Sequence, residues 1–249
     1  MQAGRECAKI PPIMTTKKRE NAMRNATKYV PLLALVIAAL ACQGMSGGGG
    51  GIQLDPTSTP APRVLFEDNF SDTDSGWCVD ADDTGALDYN NGEYVFQVFQ
   101  TDWMIWCNPG RESLSNIHVE VTAMNTGSAA DPTFGIICNY IDESQFYYMG
   151  IGADGYFAIV KFQGEDDIFL SSDENLWITS DDIELGAASY QLAADCGSDG
   201  SLVLYVDGKQ IGSANDTSYT GGDVGLFTLS FEETPVEVHF DNLTVTELK

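Results

Sequence analysis

The stretch "SLVLYVDGKQIGSA" (residues 201–214) holds two short runs of β-forming residues separated by Asp207 and Gly208. A two-residue hairpin turn places both central residues at φ > 0, which Asp-Gly adopts more easily than most pairs. The stretch therefore predicts a β-hairpin. Comparable runs that alternate apolar and polar side chains recur along the chain, and "NIHVEVTAM" (residues 116–124) is the clearest of them.

Such runs begin near residue 64 and continue to the C-terminus, with Gly, Asp and Asn turns between them. No ten-residue stretch keeps the helical period of 3.6, although "DENLWITSDDIELG" (residues 173–186) is expected to hold one short helical turn at most. Roughly ten to thirteen short strands are expected in residues 63–249. They predict an all-β domain in which two antiparallel sheets pack as a β-sandwich.

The N-terminal segment predicts an export signal. The apolar run from Val30 to Ala41 is too short for a membrane span, which needs about 20 residues, and fits a signal core of about 7–15. It ends in "ALAC" (residues 39–42), which resembles the lipobox of bacterial lipoproteins. That resemblance implies that residues 1–41 are removed and that Cys42 is acylated. The alternative is plain secretion with cleavage nearby. A shorter signal starting at Met23 is more compact, so residues 1–22 are interpreted as a gene-calling artefact.

Residues 42–62 are expected to form a flexible tether, since "QGMSGGGGGIQLDPTSTPAP" is rich in Gly, Ser, Pro and Thr and cannot bury enough surface to fold. From Cys42 onward the chain has 5 Lys+Arg against 35 Asp+Glu, a formal net charge of −30. This charge repels nucleic acid and anionic lipid. We therefore expect no nucleic-acid partner, and contact with the membrane only through the lipid anchor at the outer face of the cell.

Four cysteines lie in the predicted sandwich, and an exported domain favours their pairing. Cys138 and Cys196 each share strand parity with apolar residues that could face the interior. Cys78 lies in the first long loop and Cys107 ends the strand "DWMIWC". We predict the bridges Cys78–Cys107 and Cys138–Cys196, and the alternative is four buried free thiols.

Several stretches resemble the concanavalin A-like lectin/glucanase superfamily, near its laminin-G-like and 3-keto-disaccharide hydrolase branches. They are "FEDNFSDTDSGW" (66–77), "GIICNYIDESQFYYMGIGADGYFAIVKF" (135–162) and "DVGLFTLSFEETPVEVHFDNLTV" (223–245). The resemblance implies a jelly roll in which the first and last strands of the domain lie side by side. Many activities occur on this fold, so the resemblance does not fix a function.

Aromatic residues in the central strands give the leading functional hypothesis, which is non-catalytic binding of carbohydrate on a concave sheet. Sugar rings stack on aromatic planes, although half of all strand aromatics face a core. The candidate ligand-binding residues are Trp103, Trp106, Tyr140, Tyr148 and Trp177. The alternatives are a glycoside hydrolase and a structural or protein-binding surface module.

A hydrolase would need two carboxylates across the scissile bond. The closest group, Asp181, Asp182 and Glu184, is interpreted as a turn. His118 and His239 are both expected at outward positions of strands, and no catalytic residue is assigned.

One structural calcium near the joined termini is implied by the resemblance to other jelly rolls. The local oxygen donors would be Glu67, Asp68 and Asp241. The alternative is that Asp68 and Asp241 accept hydrogen bonds from the backbone where the strands meet.

Overall fold

The structure is a computed structural model that describes residues 61–111 and 113–249, together with the backbone of one short strand, Cys7–Ile10. The predicted acylation site Cys42, residues 43–60 of the predicted tether and the apolar run of the predicted signal lie outside the described residues. Among the residues described, no helix has the length and apolar character needed to cross a membrane.

The described residues form seventeen strands. In chain order they are β1 (Cys7–Ile10), β2 (Val64–Asp68), β3 (Asp80–Ala81), β4 (Gly85–Asn90), β5 (Glu93–Val98), β6 (Trp103–Cys107), β7 (Ile117–Asn125), β8 (Thr133–Asp142), β9 (Gln145–Gly152), β10 (Tyr156–Gln163), β11 (Asp166–Phe169), β12 (Ile178–Thr179), β13 (Ser189–Cys196), β14 (Ser201–Val206), β15 (Lys209–Asn215), β16 (Asp223–Ser230) and β17 (Val236–Glu247).

These strands form two antiparallel sheets. Sheet A has the order β1-β6-β16-β8-β9-β10-β11, with β12 also paired to β10. Sheet B has the order β15-β14-β13-β7-β17-β5-β4-β3, with β2 paired to β17. The predicted all-β sandwich is confirmed. Residues 173–186 contain turns and the two-residue β12, and the helical turn allowed for there is absent from this described segment.

The hairpin predicted at residues 201–214 is present and consists of β14 and β15. Val206 pairs with Lys209, and the two turn residues between them have φ of 49° at Asp207 and 77° at Gly208. Strands β2 and β17 are neighbours, since Asp68 pairs with Leu243. The expectation that the first and last strands of the domain lie side by side is therefore confirmed.

A single apolar core lies between the sheets because alternate side chains of both sheets face each other. Sheet A contributes residues such as Ile136 and Met149, and sheet B contributes residues such as Val121 and Leu204. Both predicted disulfides are confirmed. Cys138 of β8 is bonded to Cys196 of β13, so this bridge joins sheet A to sheet B, and Cys78 is bonded to Cys107 at the end of β6.

Candidate ligand-binding face

The face of sheet A that points away from sheet B carries a second apolar cluster, here called the outer aromatic cluster. Its members come from alternate positions of the sheet A strands and from the segments that follow β11 and β16. They are Met104, Trp106, Ile137, Tyr140, Phe146, Tyr148, Tyr156, Ala158, Val160, Phe162, Phe169, Trp177, Phe227, Leu229 and Phe231. Successive side chains of a strand point to opposite faces, which is why these residues interleave with those of the inter-sheet core.

The rings of the cluster form one connected surface. Phe146 is at its centre, with its ring stacked on Phe162 at 4.9 Å between centroids and on Tyr140 at 5.6 Å. Trp106 packs against Phe146 at 5.2 Å. Such offset and edge contacts are favourable beyond the apolar area that they bury. The arrangement therefore fixes the ring planes relative to one another.

Two glycines make room for one of these rings. A Cβ atom at Gly135 would lie 2.7 Å from a ring carbon of Phe227, and one at Gly150 would lie 2.6 Å from the same ring. Phe227 consequently lies against bare backbone of β8 and β9, and it meets the Tyr148 ring edge-on at 5.2 Å. Side chains at both glycines would displace the ring, so this part of the surface depends on them.

One carboxylate borders the cluster. Asp167 of β11 lies outside it, and its carboxylate interacts with the side chain of Tyr148 in β9. Burial raises the pKa of Asp167 to about 6, with a further rise from the neighbouring Asp166, while the Tyr148 hydroxyl opposes that shift. Burial also raises the pKa of Tyr148 well above its ordinary value. Both groups are therefore poorly hydrated in the folded protein.

Four of the five predicted ligand-binding residues lie in this cluster, namely Trp106, Tyr140, Tyr148 and Trp177. The fifth, Trp103, lies outside the cluster, and its side chain packs against the inter-sheet core. Trp103 and Trp106 are three positions apart in β6 and so point to opposite faces of the sheet.

Sequence reasoning missed three central rings of the cluster, those of Phe146, Phe162 and Phe227. Strand parity could have found the first two, since Phe146 shares parity with Tyr148 in one strand.

The cluster is closely packed and little exposed. Trp106 is fully buried, Tyr148 is 2% exposed, Trp177 is 4% exposed and Tyr140 is 6% exposed. The indole nitrogen of Trp106 has no hydrogen-bond partner among the described residues. A buried N–H without a partner is costly, so the packing of this ring has to offset that cost.

Two of the three predicted calcium ligands accept hydrogen bonds from neighbouring groups of the protein. Among the described residues, no group of three or more His, Cys, Asp or Glu side chains is positioned to hold a metal ion. Asp68 accepts hydrogen bonds from the backbone N–H of Phe70 at 2.7 Å and from Nε1 of Trp77 at 3.0 Å. Asp241 accepts bonds from its neighbour Asn242. Both carboxylates thus bond with backbone and side-chain groups of the protein, and the calcium stays a prediction.

The other acidic and histidine candidates lie elsewhere. The three carboxylates at Asp181, Asp182 and Glu184 are exposed in the turn after β12, where Asp182 accepts a bond from Lys209. His118 lies on β7 in sheet B, where its Nδ1 is 2.5 Å from Asp195. None of these residues contributes to the outer aromatic cluster.

No protein-family model matches the sequence, and no curated protein matches it. Solved structures do match the fold. A carbohydrate-binding module, CBM66, from Bacillus subtilis superposes with a TM-score of 0.54 at 14% identity, over 69% of this chain and 96% of the module. The catalytic domain of an endo-1,3-beta-glucanase (laminarinase) from Thermotoga petrophila gives 0.52 at 11% identity, over 76% and 99%. A Bacillus licheniformis beta-glucanase gives 0.51 at 10% identity, over 73% and 97%.

These likenesses define the class of fold as the concanavalin A-like jelly roll, which confirms the resemblance read from the sequence. At identities this low they show the fold and nothing of the activity.

Proposed function

We propose that the protein is a cell-surface module that binds carbohydrate without catalysis, on the outer aromatic cluster of sheet A. The observation that carries the proposal is the convergence of Trp106, Tyr140, Tyr148 and Trp177 on one face of one sheet. Indole and phenol rings offer flat apolar surfaces for the C–H faces of sugars, while their N–H and O–H groups bond with hydroxyls. The Tyr148 hydroxyl and the Asp167 carboxylate, which interact with each other, would add the polar element that fixes a sugar's orientation.

Two further observations support this function. Proteins of the same fold include one named as a carbohydrate-binding module and others named as glucanases. The two disulfides indicate an extracellular protein, because such bridges persist in oxidising compartments. Glycans are the common polymers of that environment. The acidic surface, by contrast, argues against a nucleic-acid partner.

The proposed location of the protein is the outer face of the cell membrane. In this proposal residues 1–41 are the signal, Cys42 carries the lipid, and residues 42–62 are the tether. A flexible linker of this length spans roughly 25 Å root-mean-square, which would lift the sandwich off the membrane. Labelling of cells with a radioactive fatty acid should mark the protein, and a Cys42→Ser variant should lose the label. A structural calcium stays a prediction, and the described residues offer no cluster for it.

Binding is tested with a glycan array and with affinity gels that contain β-glucans or xylans. The variant Trp106→Ala/Tyr148→Ala/Trp177→Ala should lose all binding that the unmodified protein shows. Tyr205→Ala is the matched control, because Tyr205 is an aromatic residue of β14 whose ring contacts His118 on sheet B. Retention of binding by the triple variant, or its loss in the control alone, would contradict the proposed site.

A second candidate function, a structural or protein-binding module, is favoured by one observation. The cluster is almost fully buried, whereas a ready sugar-binding platform exposes its rings. Quenching of tryptophan fluorescence by acrylamide separates the two functions. A carbohydrate-binding protein should show quenching of Trp106 and Trp177 that glycan suppresses. Shielded tryptophans that no glycan affects would favour the structural module.

A further inference from the structure

A second concave site lies between β2 and the loop that follows β6. It has a volume of about 460 Å³ and is lined by Leu65, Phe66, Gly110, Arg111 and Leu114. This volume is in the range of small-molecule sites. None of the lining residues belongs to the outer aromatic cluster. Leu65, Phe66 and Leu114 also pack against the inter-sheet core, so the apolar walls of the pocket are held by the fold.

The cation of this pocket, Arg111, is positioned by its neighbours. Its guanidinium carbon lies 4.6 Å from the centroid of the Phe66 ring, which is a cation–π contact. Its Nη2 donates a hydrogen bond to the backbone carbonyl of Ser75 at 3.4 Å. Its backbone N–H donates to the Asp223 carboxylate at 2.8 Å. A guanidinium has five N–H donors, so these contacts orient the side chain and leave most of its donors for a ligand.

Arg111 differs in its charge environment from other cations of the domain. Arg63 is paired with Glu247, Lys161 with Asp216 at 3.1 Å and Lys209 with Asp182 at 2.9 Å. The described residues place no carboxylate oxygen within ion-pair distance of the Arg111 guanidinium. Among the described residues, this lack of a carboxylate partner distinguishes Arg111 from Arg63, Lys161 and Lys209.

The nearby carboxylate bonds with the backbone. Asp223 is buried, and it accepts hydrogen bonds from the backbone N–H groups of Arg111 and Val224. Burial raises the pKa of Asp223 to about 7, while its backbone hydrogen bonds and the positive charge of Arg111 oppose that rise. The hydrogen bonds found for Asp223 among the described residues thus leave the N–H groups of the guanidinium unused.

We propose that this pocket binds a small organic carboxylate with a ring-shaped or apolar body. The carboxylate would form a two-pronged pair with the Arg111 guanidinium, a geometry that planar Arg matches and Lys does not. The body of the ligand would lie against Phe66, Leu65 and Leu114. This site is independent of the proposed glycan-binding face, so each can fail while the other stands.

The test uses the complete chain, purified in a mild detergent because the apolar run at residues 30–41 is part of it. Methyl signals of Leu65 and Leu114 are followed by NMR at constant ionic strength during titration with sodium benzoate and, separately, with sodium glucuronate. At least one of the two should give saturable shifts. Binding of benzoate alone identifies a free aromatic acid as the ligand type, and binding of glucuronate alone identifies an acidic sugar.

Three comparisons make the test specific. Benzamide, the neutral analogue of benzoate, should bind at least tenfold more weakly because it lacks the charge. Arg111→Gln should weaken carboxylate binding by at least tenfold. Arg63→Gln is the matched control, since Arg63 is an exposed arginine already paired with Glu247, and it should leave the titration unchanged.

The proposal is overturned if neither carboxylate shifts the two leucines, if benzamide binds as well as benzoate, or if Arg111→Gln binds as the unmodified protein does. Unchanged methyl signals of Val119 and Leu204 in the core show that the variant is folded. If they change, Arg111→Lys replaces it. Lysine keeps the charge without the planar fork, so affinity should fall severalfold, and an unchanged affinity overturns the proposal equally.

Discussion

The outer faces of the two sheets differ sharply in chemistry. On sheet B, His118 lies between Asp195 at 2.5 Å and Glu120 at 3.2 Å, with side chains that remain partly exposed. On sheet A, the equivalent outward positions carry the rings of the outer aromatic cluster. Both sheets use their other face for the common core, so the difference concerns only what each sheet presents on its outside.

This contrast concerns which of the two outer faces can be left in water. An antiparallel sheet commonly packs one face on the core and leaves the other in water, and the charged face of sheet B follows that pattern. A large apolar face is stable only when something covers it, which is why such surfaces mark binding sites. The contrast is the reason why we propose the ligand contact on sheet A, whereas the charged outer face of sheet B is partly exposed to solvent.

The largest expected effect comes from removing the central ring of the cluster. Phe146→Ala should lower the free energy of unfolding by about 3–5 kcal/mol, because the ring is fully buried and stacks on two neighbours. The exposed Glu120→Ala on sheet B should change it by less than about 0.5 kcal/mol. Urea unfolding of both variants measures the difference. Similar costs for the two variants would remove the contrast between the faces.

An intermediate effect is expected at Asp167. Its pKa is raised from 3.8 to about 6, so the folded state retains a proton that the unfolded state has lost. The protein should therefore lose stability as pH rises through that window, by about 2–3 kcal/mol, and show no further loss from this group above it. Asp167→Asn should abolish this loss. Equal pH profiles of the two proteins from pH 4 to pH 6.5, measured by urea unfolding, would show that Asp167 is not buried beside Tyr148.

The smallest effect is expected on sheet B, at a higher pH. The hydrogen bond with Asp195, followed by that with Glu120, raises the pKa of His118 above its ordinary 6.5 despite partial burial. The contribution of protonated His118 to the free energy of unfolding is complete below pH 6.5, and it is lost as pH rises through the folded-state pKa of His118. His118→Gln should thus cost about 1 kcal/mol at pH 6 and less at pH 9. A cost that is independent of pH would mean that the histidine contributes by packing alone.

The stabilisation that comes from the His118–Asp195 hydrogen bond is also lost at low pH. The hydrogen bonds from His118 and Tyr205 hold the pKa of Asp195 below its usual range despite the opposing effect of burial. The contribution of this carboxylate is therefore lost when pH falls through its folded-state pKa. The two outer faces consequently titrate in different windows, Asp167 on sheet A at acidic pH and His118 on sheet B near neutrality.

The sequence was informative wherever a local rule applied. The turn at Asp207 and Gly208 followed from the φ > 0 requirement, and the bridge from Cys138 to Cys196 followed from strand parity. Alternation could not orient β6, because "WMIWC" is apolar on both faces and either face could belong to the core. The sequence therefore groups Trp103 with Trp106, whereas the fold packs Trp103 against the inter-sheet core.

Long-range partners were beyond sequence reasoning. The carboxylate of Asp68 is used by Trp77, a residue of the following loop, and no local pattern announces that bond. The pocket of Arg111 is similar, since β2 and the loop after β6 meet only in the folded chain. The sequence also could not predict that the outer rings are almost completely buried. Periodicity shows which face of a strand a side chain occupies, but it does not show what covers that face.

The most direct test of the central claim is methyl NMR of the complete chain titrated with whichever glycan the array identifies. The account predicts saturable shifts of Met104, Ile137 and Val160, which lie in the outer aromatic cluster, with Val121 and Leu204 of the inter-sheet core unmoved. Shifts confined to sheet B, or to the Leu65 and Leu114 pocket, would contradict the assignment of glycan binding to the outer face of sheet A.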